Sequence, residues 1–397
     1  MNKKIYITVA IAFTLQIAQA QWKEKSSGLT AGKIIFEMSA SGRNNCYGNV
    51  YDPNIGFFSN QLAVTNDAGA TWHEVTIDSL VNNYIVDVAA STGKVVHALG
   101  WNYLTGGGNV FKSKDGGATW KREATKAFTD PASFPDNIAF FNADDGLMFG
   151  DPVDGVFEIY TTHDRGSHWH KVPSANIPAP LENEYSSNNY MEIVGNSAWS
   201  ITYVSNDGYT PTSTRLLQSD DMGETWYVRN SSLPIAETFL ATAKFRDQST
   251  GILQNNGKIY RTTDGGSTFD QVNYSGTCFT YDIDFIKDVP GCWISAGGVF
   301  GTLAGSSVSY DDGDTWTLLD TNVHHSQIEM VNKHRGFTGG EATGSNDGAF
   351  VYAGAGFKIE NQVVLCDQIE FNIFPNPPSE SFHFYLPQQM DNSATSC

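Results

Sequence analysis

The chain has 397 residues, with 24 lysines and arginines against 43 aspartates and glutamates and a formal net charge of −19. Hydrophobic residues make up 40% of the sequence and charged residues only 17%, a balance that excludes an intrinsically disordered chain. The acidic excess argues against a protein that binds nucleic acid or anionic lipid, because both ligands need clustered Lys and Arg to neutralise phosphate. No nucleic-acid partner is therefore expected.

Residues 1–20 are typical of a secretory signal peptide. Lys3 and Lys4 precede an apolar stretch at 5–17, and Ala18-Gln19-Ala20 gives the small-residue pattern of a cleavage site. The apolar stretch is shorter than a membrane-spanning helix, and no later segment is apolar enough to span a bilayer. We therefore expect an exported protein, secreted or at the cell surface, without a membrane span.

An eight-residue pattern recurs six times after the signal peptide. It occupies positions 65–72 (TNDAGATW), 113–120 (SKDGGATW), 162–169 (THDRGSHW), 219–226 (SDDMGETW), 262–269 (TTDGGSTF) and 309–316 (SYDDGDTW). The successive aspartates are 43 to 57 residues apart, from Asp67 to Asp311. A period near 50 in a sequence rich in strand-forming residues predicts propeller blades, none of which can bury its faces alone.

The pattern itself predicts a tight hairpin between the two outer strands of each blade. An aspartate accepts hydrogen bonds from backbone amides a few residues later, and the glycine two positions on permits a positive φ. The terminal aromatic residue then packs as a large apolar plate. We expect a structural role for Asp67, Trp72, Asp115, Trp120, Asp164, Trp169, Asp221, Trp226, Asp264, Phe269, Asp311 and Trp316.

The repeat resembles the Asp-box, or bacterial neuraminidase repeat, with Phe269 in place of one Trp and His168 in place of one Thr. Apolar runs between the boxes indicate seven innermost strands, at 34–38, 85–89, 138–141, 191–194, 240–245, 281–286 and 328–331. The seventh blade, with strands at 336–340 and 349–353, lacks a box. Residues 21–24 match the start of an outermost strand and are expected to complete that blade, with 354–362 as the alternative.

The predicted fold class is therefore all-β, a single seven-bladed β-propeller of four-stranded blades with Asp-box hairpins, spanning residues 21–363. Residues 364–397 are predicted to form a linker and the start of a small C-terminal β module. The run Ile373-Phe374-Pro375-Asn376-Pro377 within it resembles the opening of the type IX secretion C-terminal sorting domain of Bacteroidetes, in truncated form. That resemblance implies export through the type IX secretion machinery.

The five cysteines lack the Cys-x2-Cys spacing of zinc and redox motifs, and the histidines are scattered, so no metal and no cofactor are expected. Cys278 with Cys292, and Cys46 with Cys366, are candidate disulfides. Cys397 would then remain unpaired.

Function in a propeller is expected on the loops that lead into the innermost strands and join the second and third strands. These loops carry the candidate ligand-binding residues Trp101, Tyr103, Asp151, Tyr185 and Tyr209. They also carry the weak candidate catalytic residues Asp151, Asp154, Glu182 and Glu184, since glycoside hydrolysis needs two acids facing each other across a cleft. Sialidase chemistry is disfavoured, because it needs an arginine cluster and these loops contain no arginine.

Over residues 21–360 the chain is similar to the single propellers of the photosystem II stability/assembly factor-like family. The stretch at 140–155, with Gly150-Asp151-Pro152, carries this likeness, which implies a non-catalytic binding protein. We therefore expect a monomeric, exported propeller that binds a protein or glycan on its loop face. The alternative is a secreted glycoside hydrolase, sialidase-like or xyloglucanase-like, that uses the loop carboxylates.

Overall fold

The structure is a computed structural model, and it describes residues 22–77, 82–208, 210–234, 241–255, 257–299, 301–344, 347–352 and 357. The predicted signal peptide, the predicted sorting segment, Cys366, Cys397 and Tyr209 lie outside these residues, as does the boundary expected at residue 363. All of the described residues fall in one compact unit, residues 1–359. Among them there is no helix long and apolar enough to cross a membrane.

Almost all of the regular structure consists of short strands. In chain order they are β1 (Trp22–Ser26); blade I, β2 (Ile34–Ser41), β3 (Asn45–Asp52), β4 (Phe57–Thr65) and β5 (His73–Thr76); blade II, β6 (Asn83–Ala90), β7 (Val96–Asn102), β8 (Gly108–Ser113) and β9 (Lys121–Arg122); and blade III, β10 (Pro135–Phe140), β11 (Gly146–Val153), β12 (Val156–Thr162) and β13 (His170–Lys171). A short 3-10 helix at Ser174–Asn176 leads into blade IV.

The second half of the ring continues in the same way. Its strands are blade IV, β14 (Glu184–Val194), β15 (Ser197–Val204), β16 (Ser213–Ser219) and β17 (Tyr227–Asn230); blade V, β18 (Ala241–Phe245), β19 (Gly251–Asn255), β20 (Lys258–Thr262) and β21 (Asp270–Val272); blade VI, β22 (Ser275–Gly276), β23 (Asp282–Phe285), β24 (Trp293–Gly297), β25 (Gly305–Ser309) and β26 (Thr315–Thr321); and blade VII, β27 (Ile328–Asn332), β28 (Arg335–Gly339) and β29 (Gly348–Tyr352).

Each blade is an antiparallel sheet whose strands follow one another outward in chain order. Blade VI gains one further edge strand, since β22 pairs in parallel with β26. Blade VII is completed by the N-terminal strand: β1 pairs with β29 from Trp22 opposite Tyr352 to Ser26 opposite Gly348. The predicted all-β, seven-bladed propeller and its closure by the N-terminal segment are both confirmed. Closure ties the N-terminal strand to the last described strand and gives blade VII its fourth strand.

The hydrophobic core lies between neighbouring blades rather than within one of them. One cluster brings Tyr47 and Leu62 of blade I against Ile85 and Val96 of blade II, all fully buried. Another joins Phe149 of blade III to residues of blade IV. Burying a side chain of this size contributes about 1.5–3 kcal/mol, so each blade depends on its neighbours for stability.

The six repeats form the hairpins between the third and fourth strands of blades I to VI. In blade VI, Asp311 Oδ1 accepts hydrogen bonds from the Thr315 amide (2.8 Å) and the Ser309 hydroxyl (2.8 Å), and Oδ2 accepts from the Thr315 hydroxyl (2.7 Å). Gly313 in the same turn has φ 94°, which favours glycine. In the variant box of blade III, the His168 ring takes the place of the threonine hydroxyl and lies 2.5 Å from Asp164 Oδ2.

This connectivity gives the ring two different faces. The face that carries the six box hairpins is called the box face here. The opposite face carries the loops between second and third strands and the loops that enter each innermost strand, and it is called the loop face. The central channel runs between them, lined by the innermost strands.

The cysteine expectation is wrong within the described residues. Cys46, Cys278 and Cys292 are buried free thiols, so Cys278 and Cys292 do not form the candidate disulfide. Cys46 packs in the apolar core between blades VII and I. A buried cysteine of this kind behaves as a small hydrophobic residue.

Candidate functional site

Bulges in the innermost strands set the geometry of the channel. The pairing register shifts between Ile35 and Met38 in β2, between Pro135 and Asn137 in β10, and between Ser186 and Met191 in β14. A bulge leaves extra residues outside the ladder and turns their side chains to a new direction. Glu37 and Asp136 occupy these shifted segments, and both line the channel.

At the loop face the channel opens into a cavity of about 550 Å³. Its upper wall is aromatic: Trp101 lies against Phe134 with ring centroids 5.1 Å apart, and Tyr185 lies 5.7 Å from Tyr203. The aromatic residues that line this loop-face cavity come from five blades and their loops; they are Phe36, Phe58, Trp101, Phe134, Tyr185, Tyr190, Tyr203 and Tyr281.

Four carboxyl groups line the same cavity, namely Glu37, Asp136, Asp151 and Asp282, together with the ammonium of Lys244. The Asp151 Oδ1 atom accepts a hydrogen bond from the Ser186 amide at 2.8 Å. The loop-face cavity thus combines a large aromatic wall with an acidic one.

Several of the channel carboxylates connect one blade to the next. Asp87 of blade II accepts from the Ile138 amide of blade III (2.7 Å), and Asp282 of blade VI accepts from the Ile328 amide of blade VII (2.8 Å). Asp151 joins blades III and IV in the same way. Because each bond satisfies a backbone N–H at the inner edge of the next blade, these acids hold the wall of the channel together.

Glu37 and Asp136 differ, since neither carboxylate accepts an amide hydrogen bond from a neighbouring blade among the described residues. Glu37 Oε2 accepts from the Asn49 side-chain amide (3.2 Å) within its own blade. Glu37 Oε1 and Asp136 Oδ2 are buried and have no hydrogen-bond partner within the described part of the chain. Glu37 is 4% exposed and Asp136 is 1% exposed, and a buried polar atom without a partner needs a specific explanation.

Burial shifts the acid–base behaviour of this wall. It raises the pKa of Asp151 and of Asp282 to about 7, because a charged carboxylate loses its hydration inside the channel. The pKa of Asp136 is raised well above its usual value by burial and by the nearby charge of Asp151. Burial and the charge of Asp87 raise the pKa of Glu37 in the same way.

Toward the box face the channel continues as a second cavity of about 470 Å³, with a polar lining. Here Lys244 pairs with Glu192 at 3.1 Å. Although burial opposes the charged ammonium, Glu192 and the other acids around it raise the pKa of Lys244. The acids Asp87, Asp284 and Glu329 line the same cavity. The charge of Lys244 is therefore compensated mainly by acids on the box-face side of the channel.

The structure brings three of the predicted ligand-binding residues together, because Trp101, Asp151 and Tyr185 all line the loop-face cavity. Tyr103 is exposed on the loop face and stacks on Tyr84, with ring centroids 4.6 Å apart, without lining the cavity. Tyr209 lies outside the described residues.

The predicted catalytic carboxylates do not gather at one place. Asp154 has φ 51° in the exposed hairpin between β11 and β12, and Glu182 is exposed. Glu184 is buried, and Arg215 Nε donates to its Oε1 at 2.7 Å. Only Asp151 of the four lines the loop-face cavity. Glu184 has the contacts of a structural ion pair.

Sequence reasoning missed the acids on the innermost strands, above all Glu37, Asp136 and Asp282. Glu37 and Asp282 fall within runs that predict innermost strands, and Asp136 lies two residues before such a run. A charged residue recurring at the same point of successive innermost strands was the available signal, since buried charges need a specific reason.

A ring of seven blades with a loop-face cavity defines a class, the single seven-bladed propellers. Two solved structures of this class are similar to the chain. The first is described as YCF48 bound to D1 peptide, with 17% identity, coverage of 84% of this chain and 96% of that chain, and a TM-score of 0.56. The second is YCF48 from Cyanidioschyzon merolae, with 16% identity, coverage of 84% and 98%, and a TM-score of 0.58.

At these identities the likeness establishes the fold alone. A sialidase described as Hadza microbial sialidase Hz136 is 12% identical, with coverage of 80% of this chain and 74% of that chain and a TM-score of 0.43. No protein-family model matches the chain, and no curated protein matches it.

Proposed function

We propose that this chain is a non-catalytic binding protein that holds a segment of another protein in its loop-face cavity. The observation that carries the proposal is the cavity itself, about 550 Å³ with eight aromatic residues in its wall. Aromatic side chains in a concave site supply large contact area at low entropic cost. The mouth is formed by loops, where binding residues in propellers are normally found.

The surroundings of the cavity favour a protein over a glycan. Four exposed aliphatic side chains lie on loops of the loop face: Ile55, Leu104, Leu181 and Leu303, which are 53%, 67%, 48% and 63% exposed. Exposed aliphatic residues complement an apolar protein surface, whereas they offer few contacts to the hydroxyl groups of a sugar. The similar structure described as YCF48 bound to D1 peptide adds a precedent for peptide binding by a propeller of this fold.

The test is a selection of peptides followed by a matched pair of variants. A library of random twelve-residue peptides is displayed on phage and selected against the immobilised chain, and the enriched peptides are synthesised. Trp101→Ala should weaken their binding about 30-fold, the cost of losing one aromatic anchor. Tyr227→Ala, an exposed aromatic on β17, serves as the control and should leave the affinity unchanged. Enriched peptides that bind equally well to the Trp101 variant would contradict the proposal.

A second candidate function is glycoside hydrolysis, favoured by one observation. The charge of Asp151 raises the pKa of Asp136 within an aromatic cavity, and one protonated and one ionised carboxyl form the pair that such hydrolysis uses. A panel of chromogenic glycosides tests it. Hydrolysis that disappears in both Asp136→Asn and Asp151→Asn would favour this function, and no hydrolysis across the panel would favour binding.

We also propose that the protein acts outside the cytoplasm as a monomer, exported by the signal peptide at 1–20 and through type IX secretion. The support is the sequence pattern of the two terminal segments. Fusing residues 1–20 to a reporter that is active only after export tests the first step. Deleting residues 364–397 and comparing cell-surface with periplasmic amounts tests the second.

A further inference from the structure

The charges that line the loop-face cavity do not balance. Four carboxyl groups face one ammonium, that of Lys244, which is already paired with Glu192 on the box-face side. Asp151 and Asp282 use an oxygen to bind an amide of the next blade, so the fold explains their presence. Glu37 and Asp136 have no amide hydrogen bond from the next blade among the described residues: Glu37 accepts from Asn49 of its own blade, and Asp136 lies beside the Ser186 side chain and the Asp151 backbone.

Two oxygen atoms in this wall need a hydrogen-bond donor. Glu37 Oε1 and Asp136 Oδ2 are buried and unpartnered within the described part of the chain, and both residues line the cavity. An unsatisfied buried acceptor costs about 1–3 kcal/mol, and more if it is charged. A ligand that brings N–H donors and a positive charge would remove that cost on binding.

The shape of the cavity suits an organic cation on an apolar stem. No group of three His, Cys, Asp or Glu side chains in the described ranges stands close enough to hold a metal ion. The aromatic wall above the acids would contact the methylene groups of a long side chain. Its ring faces would also attract a cation that passes between them.

We propose that the loop-face cavity receives a lysine or arginine side chain of the bound protein segment, with its cationic group at the carboxylates of Glu37 and Asp136. This inference rests on the proposed function, because it names the chemistry of the segment held in the same cavity.

The cation competes with protons for the channel carboxylates. Burial raises the pKa of Asp151 and Asp282 to about 7, and it also raises the pKa values of Glu37 and Asp136. A cation favours the ionised carboxylates, so binding releases protons and the affinity rises with pH through the neutral range. The titratable groups that line the two connected cavities are Glu37, Asp87, Asp136, Asp151, Tyr185, Tyr190, Glu192, Tyr203, Lys244, Arg246, Tyr281, Asp282, Asp284, Lys287 and Glu329.

The experiment compares pools of capped nine-residue peptides that differ only at the central position, which is Lys, Arg, norleucine or Glu. Binding to the full chain is measured by fluorescence anisotropy. The Lys and Arg pools should bind about 10-fold to 100-fold more tightly than the norleucine pool, the range expected for charge-assisted hydrogen bonds. The Glu pool should bind most weakly. The preference for Lys should increase between pH 6 and pH 8.

The variants Glu37→Gln and Asp136→Asn remove the two charges with little change in shape. The Lys preference should fall about 10-fold in the double variant, while binding of the norleucine pool is retained. Glu158→Gln is the matched control, since Glu158 is also buried with an unpartnered oxygen but lies outside the cavity. It should keep the full preference. If the double variant does not fold, calorimetry of the wild-type chain in two buffers of different ionisation enthalpy measures proton release on binding of the Lys pool.

The outcomes separate this inference from the proposed function. Equal binding of all four pools, a Lys preference that survives in the folded double variant, or no proton release would overturn the cationic ligand while leaving peptide binding intact. No binding of any pool would remove the proposed function and this inference with it. n-Butylammonium that binds as tightly as the Lys pool would assign the cavity to a free amine and overturn the polypeptide side chain.

Discussion

Aspartates occur both in the hairpins of the box face and in the wall of the channel, but their environments shift the pKa of the side chain in opposite directions. Hydrogen bonds from the Thr119 side chain and amide lower the pKa of Asp115 to about 2 on the box face. In the channel, burial raises the pKa of Asp282 to about 7. The box carboxylate is fully satisfied by its own hairpin, whereas the channel carboxyl is not satisfied to the same degree.

This difference in pKa distinguishes carboxylates that stabilise a turn from carboxyl groups that can respond to a cation or a proton. A box carboxylate already accepts several hydrogen bonds from its own turn, so we expect the six repeats to contribute to stability rather than to binding. A buried carboxyl with a raised pKa stores a cost that a cation or a proton can relieve. The number of acidic residues in the sequence therefore says little about the site, and the hydrogen-bond partners of each acid say much more.

The ion pair of Glu184 with Arg215 is buried like the channel acids and satisfied like the box aspartates. Breaking it should give the largest loss of stability of the variants considered. Arg215→Ala leaves Glu184 buried without its partner and should lower the free energy of unfolding by about 3–5 kcal/mol. Urea unfolding at pH 7 measures the change. Arg165→Ala, which removes an exposed pair with Asp144, is the control and should have no measurable effect. An equal effect of the two variants would contradict the distinction by burial.

The pH dependence of the free energy of unfolding should have opposite signs for the channel aspartates and the box aspartates. The pKa of Asp282 is about 7 in the folded chain, so the folded state binds more protons than the unfolded state between about pH 4 and pH 7. Stability is therefore lost as the pH rises through 7. Asp282→Asn, which keeps the acceptor for the Ile328 amide, should reduce this slope by up to about 1 kcal/mol per pH unit.

Urea midpoints at pH 5, 6, 7 and 8 measure that slope, with Asp311→Asn as the control. Hydrogen bonds from Thr315 and Ser309 outweigh partial burial and lower the pKa of Asp311, so its contribution is lost only as the pH falls below the usual range of a carboxyl. The control should leave the slope between pH 5 and pH 8 unchanged. A steeper slope in the Asp282 variant would reverse the assignment.

Removing one box carboxylate should have a smaller effect, confined to stability. Asp311→Ala deletes the acceptor for the Thr315 amide and hydroxyl and should cost about 1–2 kcal/mol, as for the loss of a capping side chain. Thermal unfolding measures the loss, and Asp311→Asn should cost less because it keeps one acceptor. Binding of selected peptides should stay unchanged. Weaker binding in the Asp311 variant would show that the box face takes part in recognition.

Most of the ring could be predicted from the sequence, because the box marks one fixed point in each blade. Once the hairpin after the third strand is located, strand order and the two faces follow from antiparallel pairing. Trp22 could be placed as well, since it matches the aromatic residue that ends each box. Closure could be predicted too, because blade VII supplies only three strands and needs an outer one, which β1 provides by pairing with β29.

The channel could not be predicted in the same way. Glu37 and Asp136 face the cavity because β2 and β10 are bulged, and a bulge depends on the partner strand rather than on local propensity. Among the predicted candidates, Trp101, Asp151 and Tyr185 lie near the ends of β7, β11 and β14, beside loops whose positions the boxes fix, so they were within reach of the sequence. The buried ion pair of Glu184 could not be predicted, because its partner Arg215 lies two strands away in the sheet.

The smallest effect on stability should come from substitutions of the exposed leucines around the mouth of the loop-face cavity, here called the rim. They test whether the loop face binds a ligand beyond the cavity. Leu104 is 67% exposed, so Leu104→Ser should change the free energy of unfolding by less than about 0.5 kcal/mol. If the segment extends from the cavity over this rim, the same variant should weaken a selected peptide about 5-fold, since the leucine is partly buried on binding. Leu318 lies on β26 of blade VI and is 44% exposed, and Leu318→Ser should leave both quantities unchanged. Equal affinities for the two variants would restrict recognition to the cavity and remove the rim from the binding surface.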